Sequence, residues 1–281
     1  MKTGLVLEGG ATRGLFTCGV LDTFMGAGIT FDGIIGVSAG AAFGCNYKSH
    51  QPARALRYNL RYAKDPRYAG LLSLIATGDI YGGKFCYETL PAKLDIMDIE
   101  TYRKDPSDFY VVMTDVYTGA PVYRKVNEIN KEGLLAIRAS ASMPLVSKPV
   151  EVDGGLYLDG GLSDSIPLQA MQEMGYEKCV VILTRPRGYE KQPQKGMKAI
   201  SAALKKYPAV ARDIKDRPAK YNAELAYIKA QEETGNVLVI APEEELEISR
   251  PEHNRERIRN VYNIGRNTGR GRVEQVKAFL R

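Results

Sequence analysis

The sequence predicts an α/β protein: a three-layer α/β/α sandwich around a mainly parallel sheet, with an added helical part towards the C-terminus. Three observations predict it. Strand-like and helix-like stretches alternate through the first fifty residues ("TGLVLE", "RGLFTCGVLDTFMGAG", "FDGIIGVS", "AGAAFGCNYKSH"), the order that builds parallel βαβ units. The first helix is apolar around most of its circumference, through Leu15, Phe16, Cys18, Val20, Leu21, Phe24 and Met25, so it needs cover on nearly every side. The run "CVVIL" at the head of "CVVILTR" is continuously apolar, as strands buried on both sheet faces are.

Gly26 and Gly28 supply the stop of the first helix. Residues 52–104, punctuated by Pro52, Pro66 and Pro91, read as a helical and loop-rich cap beside the site. "DFYVVMTDVYTG" and "APVYRK" read as a strand pair, and "EGLLAIRASASM" as a helix running to Pro144. After "CVVILTR" come a Lys/Pro-rich loop, helices between residues 197 and 232, the short strand "NVLVIA" and a basic helical end. Residues 4–171 are expected to form the core, and residues 172–281 a strand and helix part that completes the same domain. The length of 281 residues and the 44% hydrophobic content suffice for a full-sized core.

The formal charge is +6, and the stretch from Arg250 onward carries nine Lys/Arg against three Asp/Glu, which equals the whole excess. A solvated helical face accounts for such a stretch; transient contact with an anionic membrane surface is the functional alternative. No nucleic-acid motif or aromatic interleaving accompanies it, so nucleic acid is not an expected partner. Cys18, Cys45, Cys86 and Cys179 lack CxxC spacing and sit in apolar settings, which points to buried thiols rather than metal or redox sites. No leader-like segment and no run of about 18 apolar residues occurs. The expected location is the cytoplasm, at most peripheral at a membrane.

The chemistry begins at "GVSAG", residues 36–40, where Ser38 stands at a strand-to-helix turn between Gly36 and Gly40. A nucleophile elbow needs this arrangement, because the serine backbone is strained and neighbouring side chains must be absent. Close packing alone also asks for small residues there, and the pentapeptide by itself does not choose. A serine needs a base, usually histidine. His50 lies twelve residues on, at the far end of the same helix and so about 18 Å away. His253 lies in the charged stretch "RPEHNRERIR", the setting of a surface histidine. A carboxylate remains, and Asp-Gly-Gly occurs twice in "VEVDGGLYLDGGLSDSIP". Asp153-Gly154 separates two alternating runs, the mark of a tight hairpin turn. Asp159 ends the second run, where it is either another turn residue or a carboxylate aimed into a site.

The third element is "EGGATRG", residues 8–14, a glycine-rich turn between the first strand and the first helix. Amides in such a turn suit an oxyanion or a phosphate. It is not a P-loop, since Leu15-Phe16 follows the last glycine, and Ala11 spoils a dinucleotide fingerprint. Arg13 places a cation at a helix N-terminus, which an anion or a packing role should offset.

These blocks, in this order over residues 4–170, resemble the patatin-like phospholipases, with their DGGGxRG-type loop, GxSxG elbow and distant DG[GA]. The resemblance implies a patatin-like fold, Ser38 as nucleophile, Asp159 as its direct base, and the amides of Gly9, Gly10 and Ala11 as oxyanion donors. Thr12, Arg13, Gly14, Gly36, Gly40, Gly160 and Gly161 complete the motifs, and "ASASMP" (139–144) and "DSIP" (164–167) look like further family blocks. Glu8 stands for the usual Asp and Ala11 for a Gly. The implied activity is hydrolysis of an ester lipid (phospholipid, lysophospholipid or acylglycerol) through an acyl-serine, with no cofactor and no metal. The alternatives are a thioesterase or acyltransferase with the same pair, or a phosphate- or nucleotide-binding protein using the Gly9–Gly14 loop without catalysis.

Overall fold

The computed structural model describes residues 1–281. Its strands are β1 (Lys2–Leu7), β2 (Gly33–Val37), β3 (Asp108–Asp115), β4 (Pro121–Lys125), β5 (Val150–Val152), β6 (Gly155–Asp159), β7 (Tyr176–Ile182) and β8 (Val237–Ile240). All belong to one eight-stranded sheet. β3, β2, β1, β7 and β8 lie side by side in that order and run parallel. β4, β5 and β6 are antiparallel to their neighbours. The helices are α1 (Gly14–Gly26), α2 (Ala39–Lys48), α3 (Arg54–Tyr62), α4 (Leu71–Thr77), α5 (Ile99–Lys104), α6 (Lys131–Ser140), α7 (Leu168–Glu173), α8 (Met197–Ala203), α9 (Pro208–Glu233) and α10 (Arg255–Leu280), with a π-helix at Phe85–Leu94.

The two-residue period of the strands divides the interior into two cores. Leu5, Leu7, Ile34, Val180, Ile182, Leu238 and Ile240 enter one core, with α1, α2 and α10 packed on it. The residues between them, Val6, Ile35, Cys179, Val181, Val237 and Val239, enter the other with α7 and α9. This makes the three layers, and explains why Leu5–Leu7, Ile34–Ile35 and Cys179–Ile182 are apolar in succession. α1 is wedged between sheet and α10: a methyl at Gly19 would overlap the carbonyl oxygen of Tyr262, and one at Gly265 that of Phe16. The basic arginines of α10 fall on its outer side, with Arg255, Arg257, Arg259, Arg270 and Arg272 exposed.

One boundary differs from expectation. The helix expected to reach Pro144 ends at Ser140, because Ser142 turns its hydroxyl back to the Arg138 carbonyl and gives its own carbonyl to the Asp159 amide. The helices expected between residues 197 and 232 form as α8 and α9, and Pro208 starts the second at a position where its missing amide is harmless. The Asp153-Gly154 hairpin forms as expected, with φ of 48° and 80° at the two residues.

Candidate active site

The sheet brings residues 38 and 159 together by an end-to-end meeting of two strands. β4 takes one edge of β3 through Tyr110–Thr114, so β2 and β6 share the other. β2 occupies it as far as Val37 opposite Val112, and β6, running the opposite way, arrives with Asp159 opposite Met113. The C-terminal ends of both strands therefore meet, and Ser38 Oγ donates a hydrogen bond to Asp159 Oδ2 at 2.7 Å. The glycines around them are required by contact: a methyl at Gly40 would strike the Leu7 carbonyl and one at Gly160 the Val112 carbonyl.

Ser38 caps α2 with φ 54° and ψ −118°, a conformation that costs a non-glycine residue about 1–3 kcal/mol. Its backbone is held on both sides. The carbonyl accepts the amides of Ala41 and Ala42, and the amide donates to Ser140 Oγ at 2.8 Å. Ser140 is fully buried, so Ser140→Ala orphans a buried amide. That substitution is expected to destabilise the fold by about 1–3 kcal/mol, read from the urea midpoint, and to lower turnover by loosening Ser38.

Asp159 is 6% exposed. Burial pushes its carboxyl above the ordinary range, while the Arg217 charge and the hydrogen bonds from Ser38 and the Gly161 amide pull the other way. Its backbone is fixed by Ser142, as above, and by Thr114 Oγ1, which donates to its carbonyl at 2.8 Å. A carboxylate that is raised in pKa yet still hydrogen-bonded to a hydroxyl is suited to accept that hydroxyl's proton.

The Gly9–Gly14 turn lies against this pair. A methyl on Gly9 would come within 3.0 Å of Ser38 Cβ and 3.1 Å of the Val37 carbonyl oxygen. The amides of Gly9, Gly10 and Ala11 donate to no acceptor within the protein. Ala11 has φ 49°, in the left-handed region that glycine favours. The Glu8 carboxylate is buried and accepts the Thr184 amide and the Tyr221 hydroxyl, so it ties the loop to β7's extension and to α9. The histidines lie elsewhere: His50 pairs with Asp105 at 2.7 Å and His253 contacts the Ala63 carbonyl.

Ser38 faces two cavities. One, open to solvent, is lined by 25 residues, 16 of them hydrophobic, including Phe43, Tyr58, Leu90 and Ile137. Its far wall comes from the 52–104 segment, where the π-helix contributes Cys86, Tyr87, Leu90 and Pro91. The other is polar and is lined by Asp159 and by Gly9, Gly10 and Ala11.

Residues 5–171 match the family described as patatin-like phospholipase. The chain belongs to that family. The patatin-like region is followed by a match of residues 207–281 to a domain of unknown function, DUF6363. Among relatives, the uncharacterized protein YjjU of Escherichia coli is 34% identical over 201 residues, covering 69% of this chain and 55% of YjjU. An uncharacterized NTE family protein of Mycobacterium tuberculosis is 28% identical over 182 residues, 64% of this chain and 48% of that protein. The chain thus spans about half the length of these relatives. A lysophospholipase of Candida albicans, NTE1, is 27% identical over 64% of this chain but 13% of its own length. The crystal structure of VipD from Legionella pneumophila aligns over 98% of this chain and 67% of VipD, with a TM-score of 0.48 and 13% identity.

Within this patatin-like site the sequence did not indicate Thr114, Arg217 or Lys191, which lie outside the motif blocks in strand, helix and loop. Ser140 and Ser142 were visible only as the repeated small residues of "ASASMP".

Proposed function

We propose that the chain is a serine acyl hydrolase cleaving ester lipids, with Ser38 as nucleophile, Asp159 as base and the Gly9, Gly10 and Ala11 amides as oxyanion donors. The observation that carries this reading is the 2.7 Å hydrogen bond from Ser38 Oγ to Asp159 at the mouth of a mainly apolar cavity. The acyl chain enters that cavity. Ser38 Oγ attacks the ester carbonyl carbon while Asp159 takes its proton, and the carbonyl oxygen, now an anion, is met by the free amides of the loop. Asp159 then gives the proton to the leaving alcohol as the acyl-serine forms. Water repeats the sequence, losing its proton to Asp159 and releasing the fatty acid. The positive N-terminal end of α2 adds to the field at the anion.

Family membership supports a lipid ester, and the Candida relative carries the name lysophospholipase. The surface supports contact with a lipid aggregate. α4 joins two residues of the apolar cavity wall, Tyr68 and Asp79, and exposes Leu71, Leu72 and Ile75 at 68%, 66% and 74%. A methyl at Gly70, at the head of α4, would lie 3.4 Å from Cε1 of His253, just before α10, so the exposed arginines at the start of α10 lie near this apolar face, the pairing an anionic membrane surface attracts. No helix is long and apolar enough to cross a membrane. Replacing Leu71, Leu72 and Ile75 together by Ser is expected to lower the ratio of vesicle hydrolysis to short soluble ester hydrolysis by about tenfold.

The reading is tested by fatty-acid release from a panel of phospholipids, lysophospholipids, acylglycerols and thioesters. Release that vanishes in Ser38→Ala supports it; no release from any ester, or equal release from Ser38→Ala, refutes it.

A further inference from the structure

The polar cavity beside Ser38 is built for an anion. Only four of its sixteen lining residues are hydrophobic, and Arg13, Lys191, Arg217 and Arg250 stand around it against two carboxylates, Glu8 and Asp159. Both carboxylates are engaged, Glu8 by Thr184 and Tyr221, Asp159 by Ser38 and Gly161. None of the four cations takes part in any ion pair of the molecule. Arg13 is 7% exposed, and its Nε, like that of Arg217, is buried without a hydrogen-bond partner. Desolvation and mutual repulsion make such a cluster unfavourable unless an anion completes it. The strain is visible at Lys191, whose ammonium is pushed down to about 8 by burial and by the Arg217 charge.

We infer that this cavity is a headgroup subsite in which Arg13, Lys191, Arg217 and Arg250 hold a phosphate carried by the leaving alcohol of the ester. The inference rests on the hydrolase reading for its orientation. With the acyl chain in the apolar cavity and the carbonyl at Ser38, the alcohol side of the ester points into the cationic cavity. A guanidinium fork matches two phosphate oxygens at once. The fitting substrate class is an acyl ester of a phosphorylated alcohol with a free phosphomonoester, such as a monoacylglycerol phosphate. A zwitterionic headgroup would bring a further cation into the cluster. Lys191, Arg217 and Arg250 all lie beyond residue 171, outside the patatin-like match, so the C-terminal part sets this selectivity.

The test compares kcat/KM on 1-oleoylglycerol 3-phosphate, 1-oleoylglycerol and 1-oleoylglycerophosphocholine for the full chain and for Lys191→Gln/Arg250→Gln. The parent is expected to favour the phosphomonoester over the neutral ester, and the double variant to lose about tenfold or more of that ratio, mainly through KM. Lys191→Arg should retain the preference. A ratio near one in the parent, or one unchanged in the double variant, overturns the proposal. Binding of glycerol 3-phosphate to Ser38→Ala by calorimetry decides the subsite independently of turnover. Saturable binding, weakened by the double substitution and by salt, supports it even if no ester is cleaved and the hydrolase reading fails. Absence of binding, or tighter binding of inorganic phosphate without selectivity among the esters, refutes a headgroup subsite. Thermal unfolding without phosphate should find the double variant at least as stable as the parent, which keeps misfolding from imitating lost affinity.

Discussion

Asp159→Asn is expected to lower kcat by about 10⁴-fold while leaving the folded protein as stable as the parent, or more so, at neutral pH. The two halves have one cause. Burial raises the Asp159 carboxyl above its ordinary value of 3.8, so the folded state binds that proton more tightly than the unfolded chain does. The parent therefore has its full stability below the ordinary carboxylate range and loses part of it as pH rises through the raised value. Asn removes that loss and keeps an oxygen for the Gly161 amide, but it cannot take the Ser38 proton. The same shift sets the acid limb of kcat, which should lie above 3.8 and move further up in Arg217→Gln, where the charge that holds the carboxyl down is gone. No limb should belong to a histidine: His50→Gln/His253→Gln should remain active, since both side chains are engaged away from Ser38. Full activity in Asp159→Asn, or inactivity in a folded double histidine variant, would move the base elsewhere.

The second large effect concerns the chain beyond residue 171. We propose that residues 172–281 complete the same domain, and that a chain ending at 171 fails to fold cooperatively. β7 pairs along the whole free edge of β1, from Lys2 to Leu7, and β8 pairs with β7. Truncation would leave the central strand of a parallel sheet as an exposed apolar edge. It would also strip α10 from α1 and α9 from the second core, and leave the buried Glu8 carboxylate without Thr184 and Tyr221. Apolar surface returned to water costs about 25 cal/mol per Å², so losing the cover of two cores exceeds the roughly 5–15 kcal/mol of a domain's whole stability. Circular dichroism and urea unfolding decide the matter, a soluble 1–171 fragment with a cooperative transition being the contrary result.

The layers were legible because the strands alternate with helices and the central strands carry unbroken apolar runs, Leu5–Leu7 and Cys179–Ile182 among them. The turn at Asp153-Gly154 was legible from turn chemistry, and this also freed Asp159 for another task. The motif order indicated which serine and which carboxylate to bring together, 121 residues apart. What no local pattern could reveal was how they meet, because the head-on arrival of β2 and β6 on one edge of β3 depends on strand register. The same holds for Ser140 and Thr114, whose hydroxyls matter through what they face. Lys191 sits in a Lys/Pro-rich loop and Arg217 on a helix rich in charges, so nothing in their neighbourhood marked them as turned inward. Glu8 stood out as a departure from the family pattern, and the structure gives its extra methylene a reason, since the carboxylate reaches across to Thr184 and Tyr221.

Whether Ser38 is a nucleophile activated by Asp159 is decided by the rate at which a fluorophosphonate labels the protein, with the adduct located by mass spectrometry. One adduct is expected, on Ser38, whose formation slows at least a hundredfold in Asp159→Asn and persists in the double histidine variant. An unlabelled Ser38, or labelling at the parent rate in Asp159→Asn, would contradict that role.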